Sequence, residues 1–326
     1  MAEDIILQVE DLKTHFYTRT GVVKAVDGVS FDLRKGETLG IVGESGSGKS
    51  ITALSIMRLV PEPGGRIVGG RILFEGDDLL EKGTGEMRTI RGREICMILQ
   101  DPMTSLDPVF SMGDQLTETF GADDSPSNQS RWERAVELLR MVGIPAPEVR
   151  MRSFPHQMSG GMRQRVVGAI AISRSPKLLI ADEPTTSLDA TVQLQYLRLL
   201  KEIQAQTGAA IIFITHDFGI VARMCDRVAV MYAGKIVETA GVRELFNRPS
   251  HPYTQALLES VPDLNQDVEW LASIEGQPPM PDDLPSGCSF EPRCPYAYDR
   301  CRAEYPREFV AADRHTARCW RLDDSD

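Results

Sequence analysis

The chain has 326 residues, of which 42% are hydrophobic and 25% charged. That composition belongs to soluble globular proteins and excludes wholesale disorder, collagen-like repeats and coiled coil. With 36 basic and 47 acidic residues the net charge is −11. A surface that wraps nucleic acid by charge alone is thereby excluded, although a local basic patch is not. No stretch approaches the roughly 20 apolar residues that cross a bilayer. The N-terminus, MAEDIILQVE, is acidic where a secretion signal is basic. The expectation is a cytosolic chain that can dock on a membrane through a partner.

In chain order, Ile5–Val9 predicts a short strand. Gly21 to Gly36 alternates as paired strands do, and Thr38–Val42 is a short apolar run followed by glycines and a helical stretch, Ser50–Leu59. A Gly/Pro-rich turn over Pro61–Gly70 precedes the strand RILFEG, and Ile95–Leu99 is another strand. From about Asp101 helical spacing replaces alternation. Ala135, Leu138, Leu139 and Val142 fall on one helix face, after a polar loop at Asp123–Ser130. Lys177–Ala181 and Ala209–Thr215 are apolar strands of the kind a parallel sheet buries on both faces. Alternating β and α elements predict an α/β sheet. Past Gly241 the composition shifts: Pro278, Pro279, Pro281 and Pro285 precede Cys288, Cys294, Cys301 and Cys319. No internal repeat occurs.

Gly43-Glu-Ser-Gly-Ser-Gly-Lys49-Ser50 satisfies the phosphate-loop pattern between a strand and a helix. Gly43, Gly46 and Gly48 permit torsions that turn successive N–H groups toward one centre, and the helix N-terminus adds to that field. Lys49 supplies a charge to the β- and γ-phosphates, and Ser50 a hydroxyl for Mg²⁺. Leu178–Glu183 is an apolar strand ending in two acids. Beside a phosphate loop, Asp182 reads as an Mg²⁺ partner and Glu183 as the base that polarises water. Ile211–Ile214 ends in Thr215-His216-Asp217, and spacing alone leaves His216 open between a site residue and a structural histidine.

Together these motifs resemble the ATP-binding cassette (ABC) ATPases. Met158-Ser159-Gly160-Gly161-Met162-Arg163-Gln164-Arg165 resembles the family's signature, with both flanking positions of the usual Leu-Ser-Gly-Gly-Gln changed. The resemblance implies a RecA-like nucleotide-binding domain over residues 1–240, with an antiparallel β subdomain, a helical subdomain over about 101–164 and a cysteine-rich extension over 241–326. Gln100 resembles the glutamine that touches Mg²⁺ and couples to the membrane partner. Ser187-Leu188-Asp189 resembles the loop that crosses a dimer interface, and His216 the histidine that contacts the γ-phosphate. Phe16 occupies the place of the adenine-stacking aromatic, with Tyr17 its rival. The implied nucleotide contacts are Phe16, Gly43, Ser45, Gly46, Gly48, Lys49, Ser50, Ser159, Gly160, Gly161 and Asp189. The catalytic group is Glu183, His216 and Gln100, and the Mg²⁺ group is Ser50, Gln100 and Asp182.

Gly43–Gly48 in the phosphate loop, Met162–Arg165, Ala181–Ser187 and His251-Pro252-Tyr253-Thr254 narrow the resemblance to the oligopeptide/dipeptide (and nickel) importer ATPases. It implies an ATPase at the cytoplasmic face of the membrane with a second, often different, ATPase subunit. Two membrane-spanning permeases and an extracytoplasmic solute-binding protein complete the complex, and nucleic acid has no part in it. The solute would be a di- or oligopeptide, with nickel or another small solute as the alternative. A soluble ABC ATPase acting on ribosomes or DNA is disfavoured by the single phosphate loop, the lack of heptads and the acidic charge.

Cys96 and Cys225 stand alone in apolar contexts and read as small buried hydrophobes. The other four cysteines are separated by five, six and seventeen residues. None forms a C-x-x-C pair, so spacing leaves metal and four reduced thiols equally open. The resemblance, not the spacing, implies a [4Fe–4S] cluster on Cys288, Cys294, Cys301 and Cys319, with Zn²⁺ as the alternative and His315 outside the ligand set.

Overall fold

The computed structural model describes residues 4–101, 105–120, 127–186, 188–261 and 273–323. Pro102, residues 123–126 of the expected polar loop, and Ser187 lie outside the described residues. The strands are β1 (Ile5–Tyr17), β2 (Val22–Arg34), β3 (Thr38–Val42), β4 (Gly65–Phe74), β5 (Asp77–Asp78), β6 (Ile95–Ile98), β7 (Leu178–Asp182), β8 (Ala210–Ile214), β9 (Arg227–Tyr232), β10 (Lys235–Gly241), β11 (Phe309–Ala312) and β12 (His315–Ala317). The helices are α1 (Lys49–Ile56), α2 (Thr84–Ile90), α3 (Met112–Glu118), α4 (Asn128–Met141), α5 (Pro147–Arg150), α6 (Gly160–Ile172), α7 (Ala190–Thr207), α8 (Phe218–Met224), α9 (Val242–Asn247), α10 (Pro252–Glu259) and α11 (Asp299–Ala303). Among the described residues no helix is long and apolar enough to cross a membrane.

The chain divides into two compact units. The first comprises Met1–Leu33, Thr38–Glu81 and Phe213–Asp326. It holds a sheet in the order β2-β1-β4-β5, in which β4 is antiparallel to both β1 and β5. The residues from Gly21 to Gly36 make one long strand rather than a pair. Gly28 takes φ 84°, and the Asp27 N–H donates to the Gly234 carbonyl at 2.9 Å, so the chain bends there without reversing. The predicted turn over 61–70 is half strand, because β4 starts at Gly65 and pairs Phe16↔Gly65 through Leu7↔Phe74. The same unit carries strands in the order β11-β12-β10-β9-β3. β3 runs parallel to β9, and all five of its residues are buried. Full burial of such Leu, Ile and Val side chains contributes about 1.5–3 kcal/mol each.

The segment past Gly241 adds two strands to that sheet: β12 pairs antiparallel with β10, and β11 with β12. Aromatic packing supplies the rest of its core. Phe290 lies 5.4 Å from both Tyr232 and Tyr253, ring centre to ring centre, and those two tyrosines lie 4.5 Å apart. Trp320 packs edge-on to Phe309 at 5.7 Å, and its indole N–H donates to the Glu304 carbonyl. This packing explains a correction. Cys288, Cys294, Cys301 and Cys319 line one small cavity with Phe290 and Trp320. Yet among the described residues no three His, Cys, Asp or Glu side chains are arranged to hold a metal ion. The expected [4Fe–4S] cluster, its Zn²⁺ alternative and the reading of residues 241–326 as a cysteine-clustered extension are therefore set aside. The four cysteines are free. Burial pushes the Cys288 thiol up to about 12 and raises Cys294 and Cys319 as well, so these thiols are neutral.

The second unit comprises Arg34–Glu37 and Lys82–Ile212. Its strands run in the order β8-β7-β6, with β6 parallel to β7. Every residue of β7 and β8 is buried, as a parallel sheet requires. Ala135, Leu138, Leu139 and Val142 are all buried, and α4 packs that face against α3, α5 and α6. Cys96 is buried here, and Cys225 is buried in the first unit, both as apolar fillers.

His251 and Glu238 generate a pH dependence. His251 caps α10 by accepting the Tyr253 N–H at its Nδ1, and burial pushes its imidazole down to about 4 from the ordinary 6.5. Burial pulls the Glu238 carboxyl up, but hydrogen bonds with His315 and from the Ser250 and His251 N–H groups prevail and hold it below the usual range. Between pH 6.5 and 4 the unfolded chain binds a proton at His251 that the native chain refuses. Stability contributed there is complete above pH 6.5 and declines as pH falls through that window, by about 1.4 kcal/mol per pH unit for one proton. The Glu238 contribution is present above the ordinary carboxylate range and disappears as pH falls through its depressed value. The melting temperature is expected to fall with pH in the upper window, and His251→Asn, which keeps a capping acceptor, to flatten that slope. An equal slope in both proteins would contradict this account.

Candidate functional site

In the first unit, β3 delivers the chain to Gly43. Gly43, Gly46 and Gly48 have φ of 151°, 78° and 106°. A Cβ at Gly43 would collide with the Met231 carbonyl, and one at Gly48 with the Ala25 carbonyl, so glycine is required at both for space as well as torsion. Gly48 caps α1 without a side-chain hydrogen bond. Glycine at that position has no side chain to reach the first N–H groups of α1. Lys49 is 5% exposed, and its ammonium turns back to donate to the Gly43 carbonyl at 2.8 Å and the Glu44 carbonyl at 2.9 Å. Ser45 is exposed at the loop tip, and Ser50 is the second residue of α1.

Phe16 and Tyr17 end β1. Phe16 is half-buried against Gly65, whereas Tyr17 is 50% exposed beneath the Arg66 guanidinium. His216 is exposed, on a backbone fixed on both sides. The Thr215 N–H donates to the Ile41 carbonyl at 3.3 Å, and the Asp217 carboxylate caps α8 through the Gly219 and Ile220 N–H groups.

The second unit gathers the other acids and turns. Asp182 ends β7 and is 5% exposed. Glu183 follows at φ 44°, a left-handed torsion that costs a non-glycine residue roughly 1–2 kcal/mol. Its carboxylate accepts from the Gln100 amide at 3.1 Å and the Thr186 hydroxyl at 3.0 Å. Gln100 and Glu183, 83 residues apart in sequence, are thus brought together. Ser159 caps α6 by accepting the Met162 N–H at 3.3 Å. Nothing crowds the Cβ position of Gly160, whereas one at Gly161 would lie 2.7 Å from Val192 Cγ1. Val192 belongs to the first turn of α7, which Asp189 caps by accepting the Thr191 and Val192 N–H groups at 3.0 Å. The turn at Ser159 and the turn at Asp189 are therefore neighbours.

Two residues from outside the phosphate loop reach it without a site assignment from the sequence motifs. The Tyr253 hydroxyl accepts the Glu44 N–H at 2.9 Å, and Arg293 grips the Glu44 carboxylate with two hydrogen bonds of 2.8 and 3.0 Å. Glu44 and Tyr253 stand inside quoted motifs. Their partnership spans 209 residues, and the bond from Arg293 spans 249, with no local signal of either.

Residues 26–186 match the ABC transporter family, and residues 237–301 match the C-terminal region of oligopeptide/dipeptide transporters. The chain is 50% identical over 319 residues to a probable peptide ABC transporter ATP-binding protein of Sinorhizobium fredii, covering 98% of this chain and 95% of that one. It is 52% identical over 318 residues to an oligopeptide transport ATP-binding protein of Bacillus subtilis, covering 97% and 89%. The fold is similar to that of a dimeric bacterial ABC transporter cassette, MJ0796, with a TM-score of 0.64 and 25% identity over 73% of this chain and 99% of that one.

The close approach at Gly161 is testable. Gly161→Ala forces Val192 aside and is expected to destabilise the chain by about 1–3 kcal/mol in a denaturant titration. Val192→Ala in the same chain should recover part of that loss. A neutral Gly161→Ala would show that the two turns do not touch.

Proposed function

Because the chain belongs to the ATP-binding subunits of ABC transporters, among the oligopeptide/dipeptide members, we propose that it hydrolyses ATP to power uptake of di- and oligopeptides. The observation that carries this reading is the phosphate cradle: three glycines at positive φ lead into a helix with no side-chain cap, and a buried lysine is folded over the loop. The loop N–H groups and Lys49 hold the β- and γ-phosphates. Ser50 and Asp182 offer the hard oxygen donors that Mg²⁺ takes alongside phosphate, and that ion, when bound, offsets the charge on the β- and γ-oxygens. Phe16 supplies the ring for adenine.

Glu183 accepts a hydrogen bond from the attacking water. The water oxygen bonds to the γ-phosphorus, the bridging oxygen leaves with ADP, and the water's proton passes toward the Glu183 carboxylate. Its left-handed backbone and two hydrogen-bond donors fix where that carboxylate sits. Gln100 orients Glu183, and His216 contacts the γ-phosphate.

Ser159 and Gly160 open α6 with free space around Gly160, which suits an anion arriving from outside this chain. A second cassette facing this one across shared nucleotide would bring its γ-phosphate to that turn, with Asp189 at the interface. The dimeric state named for the similar solved cassette supports this arrangement. ATP then holds two cassettes closed and hydrolysis releases them, because a ligand bound only in the closed state shifts the equilibrium by its differential affinity. Two permeases and an extracytoplasmic solute-binding protein complete the proposed importer, with this chain peripheral at the cytoplasmic face.

Glu183→Gln is expected to lower ATP turnover at least about 100-fold while leaving ATP binding intact. In the assembled importer it should accumulate an ATP-bound closed pair. Turnover at the unmodified rate, or an open pair at saturating ATP, would contradict the assignment.

A further inference from the structure

The C-terminal segment holds the phosphate loop from behind. The peptide joining Gly43 to Glu44 is held at both ends, its carbonyl by the Lys49 ammonium at 2.8 Å and its N–H by the Tyr253 hydroxyl at 2.9 Å. The Glu44 side chain is fixed as well, by the two-pronged ion pair with Arg293. The Arg293 side chain is 4% exposed, so this pair is shielded from the screening that makes surface ion pairs weak. Arg293 is itself held on the aromatic cluster. It lies 5.9 Å from the Tyr232 ring centre and 6.0 Å from that of Phe290, and it donates to the Tyr232 hydroxyl at 3.3 Å. The Glu44 bond, ahead of the cost of burial, pushes the guanidinium even further above its ordinary range, so it stays charged.

We propose that Arg293 and Tyr253 are positioning residues for phosphate binding, acting through Glu44 to hold the 43–50 loop in its nucleotide-ready shape. A loop with three glycines has many backbone states to lose when it closes on phosphate. Restraints that remove those states in advance leave less to lose at the moment of binding, which raises affinity without touching the ligand. The role rests on the ATP reading above. It makes residues 253 and 293, far from the loop in sequence, part of what sets nucleotide affinity. It also gives any partner that displaces the C-terminal segment a route to that site.

The test is a set of full-length variants titrated with MgATP, MgADP and adenosine. Tyr253→Phe removes one hydroxyl and keeps the aromatic cluster. It is expected to weaken ATP and ADP about three- to tenfold and to leave adenosine unchanged, since only phosphate contacts depend on the loop. Arg293→Met should weaken both nucleotides at least as much, and Arg293→Lys less, because lysine keeps the charge and loses the fork. In Glu44→Gln with Arg293→Met the double loss should not exceed the larger single loss, as for two residues on one route. Hydrogen exchange in the nucleotide-free chain reads the restraint itself, and the Glu44 amide should exchange faster in Tyr253→Phe. A merely structural role would lower the melting temperature and weaken adenosine equally. Unaltered ATP affinity in every variant beside a wild type that binds, additive losses, or unaltered exchange would overturn the positioning role alone. A wild type that fails to bind MgATP would overturn the ATP reading, and this role with it.

Discussion

A single peptide plane, Gly43–Glu44, is the constraint on which the site depends. Its carbonyl and N–H are both engaged, and the glycine side of it is pressed so close to the Met231 carbonyl that no Cβ fits. Everything attributed to the loop follows from that plane being fixed. Lys49 can fold over the loop only because the Gly43 and Glu44 carbonyls face it. The loop leads into the start of α1, which has no side-chain cap. Glycine freedom provides the reachable torsions, and contacts from β9, α10 and the Arg293 turn choose among them.

The C-terminal segment is integrated by the ordinary means of a folded core. Strand pairing to β10, a buried carboxylate shared by His315 and the His251 backbone, and a cluster of Tyr232, Tyr253 and Phe290 hold it in place. The thiols beside them are buried among apolar rings, where the neutral form is favoured. His251 serves twice: its imidazole Nδ1 caps a helix by accepting the Tyr253 N–H, and its backbone N–H donates to Glu238.

Much of this was legible because it is local. The glycine spacing before Lys49, the apolar strand before Asp182 and the helix face at Ala135, Leu138, Leu139 and Val142 each follow from residues within a few turns of one another. The pairing read from Gly21 to Gly36 failed because alternation marks a half-buried strand without marking where it ends, and at Gly28 a positive φ bends a single strand. Pro61–Gly70 misled because turn composition ran on into β4, whose partner β1 lies about fifty residues away and decides where pairing starts. The cysteines misled through the resemblance: their spacing left metal and reduced thiols equally open, and likeness to a family tail does not say how these thiols point. Glu183 at φ 44° left no trace in composition at all, since tertiary packing overrides the torsional preference of glutamate there.

The residues proposed to bind and hydrolyse ATP are drawn from both compact units of the chain. The phosphate loop and His216 belong to one unit, and Glu183, Gln100, Ser159 and Asp189 to the other. The most direct measurement of the central claim is calorimetric titration of the full chain and of Lys49→Met with MgATP. The account predicts saturable binding by the native chain and at least about a tenfold weaker affinity in the variant. Equal affinity in the two proteins would contradict it, because the folded ammonium would then have no part in holding phosphate.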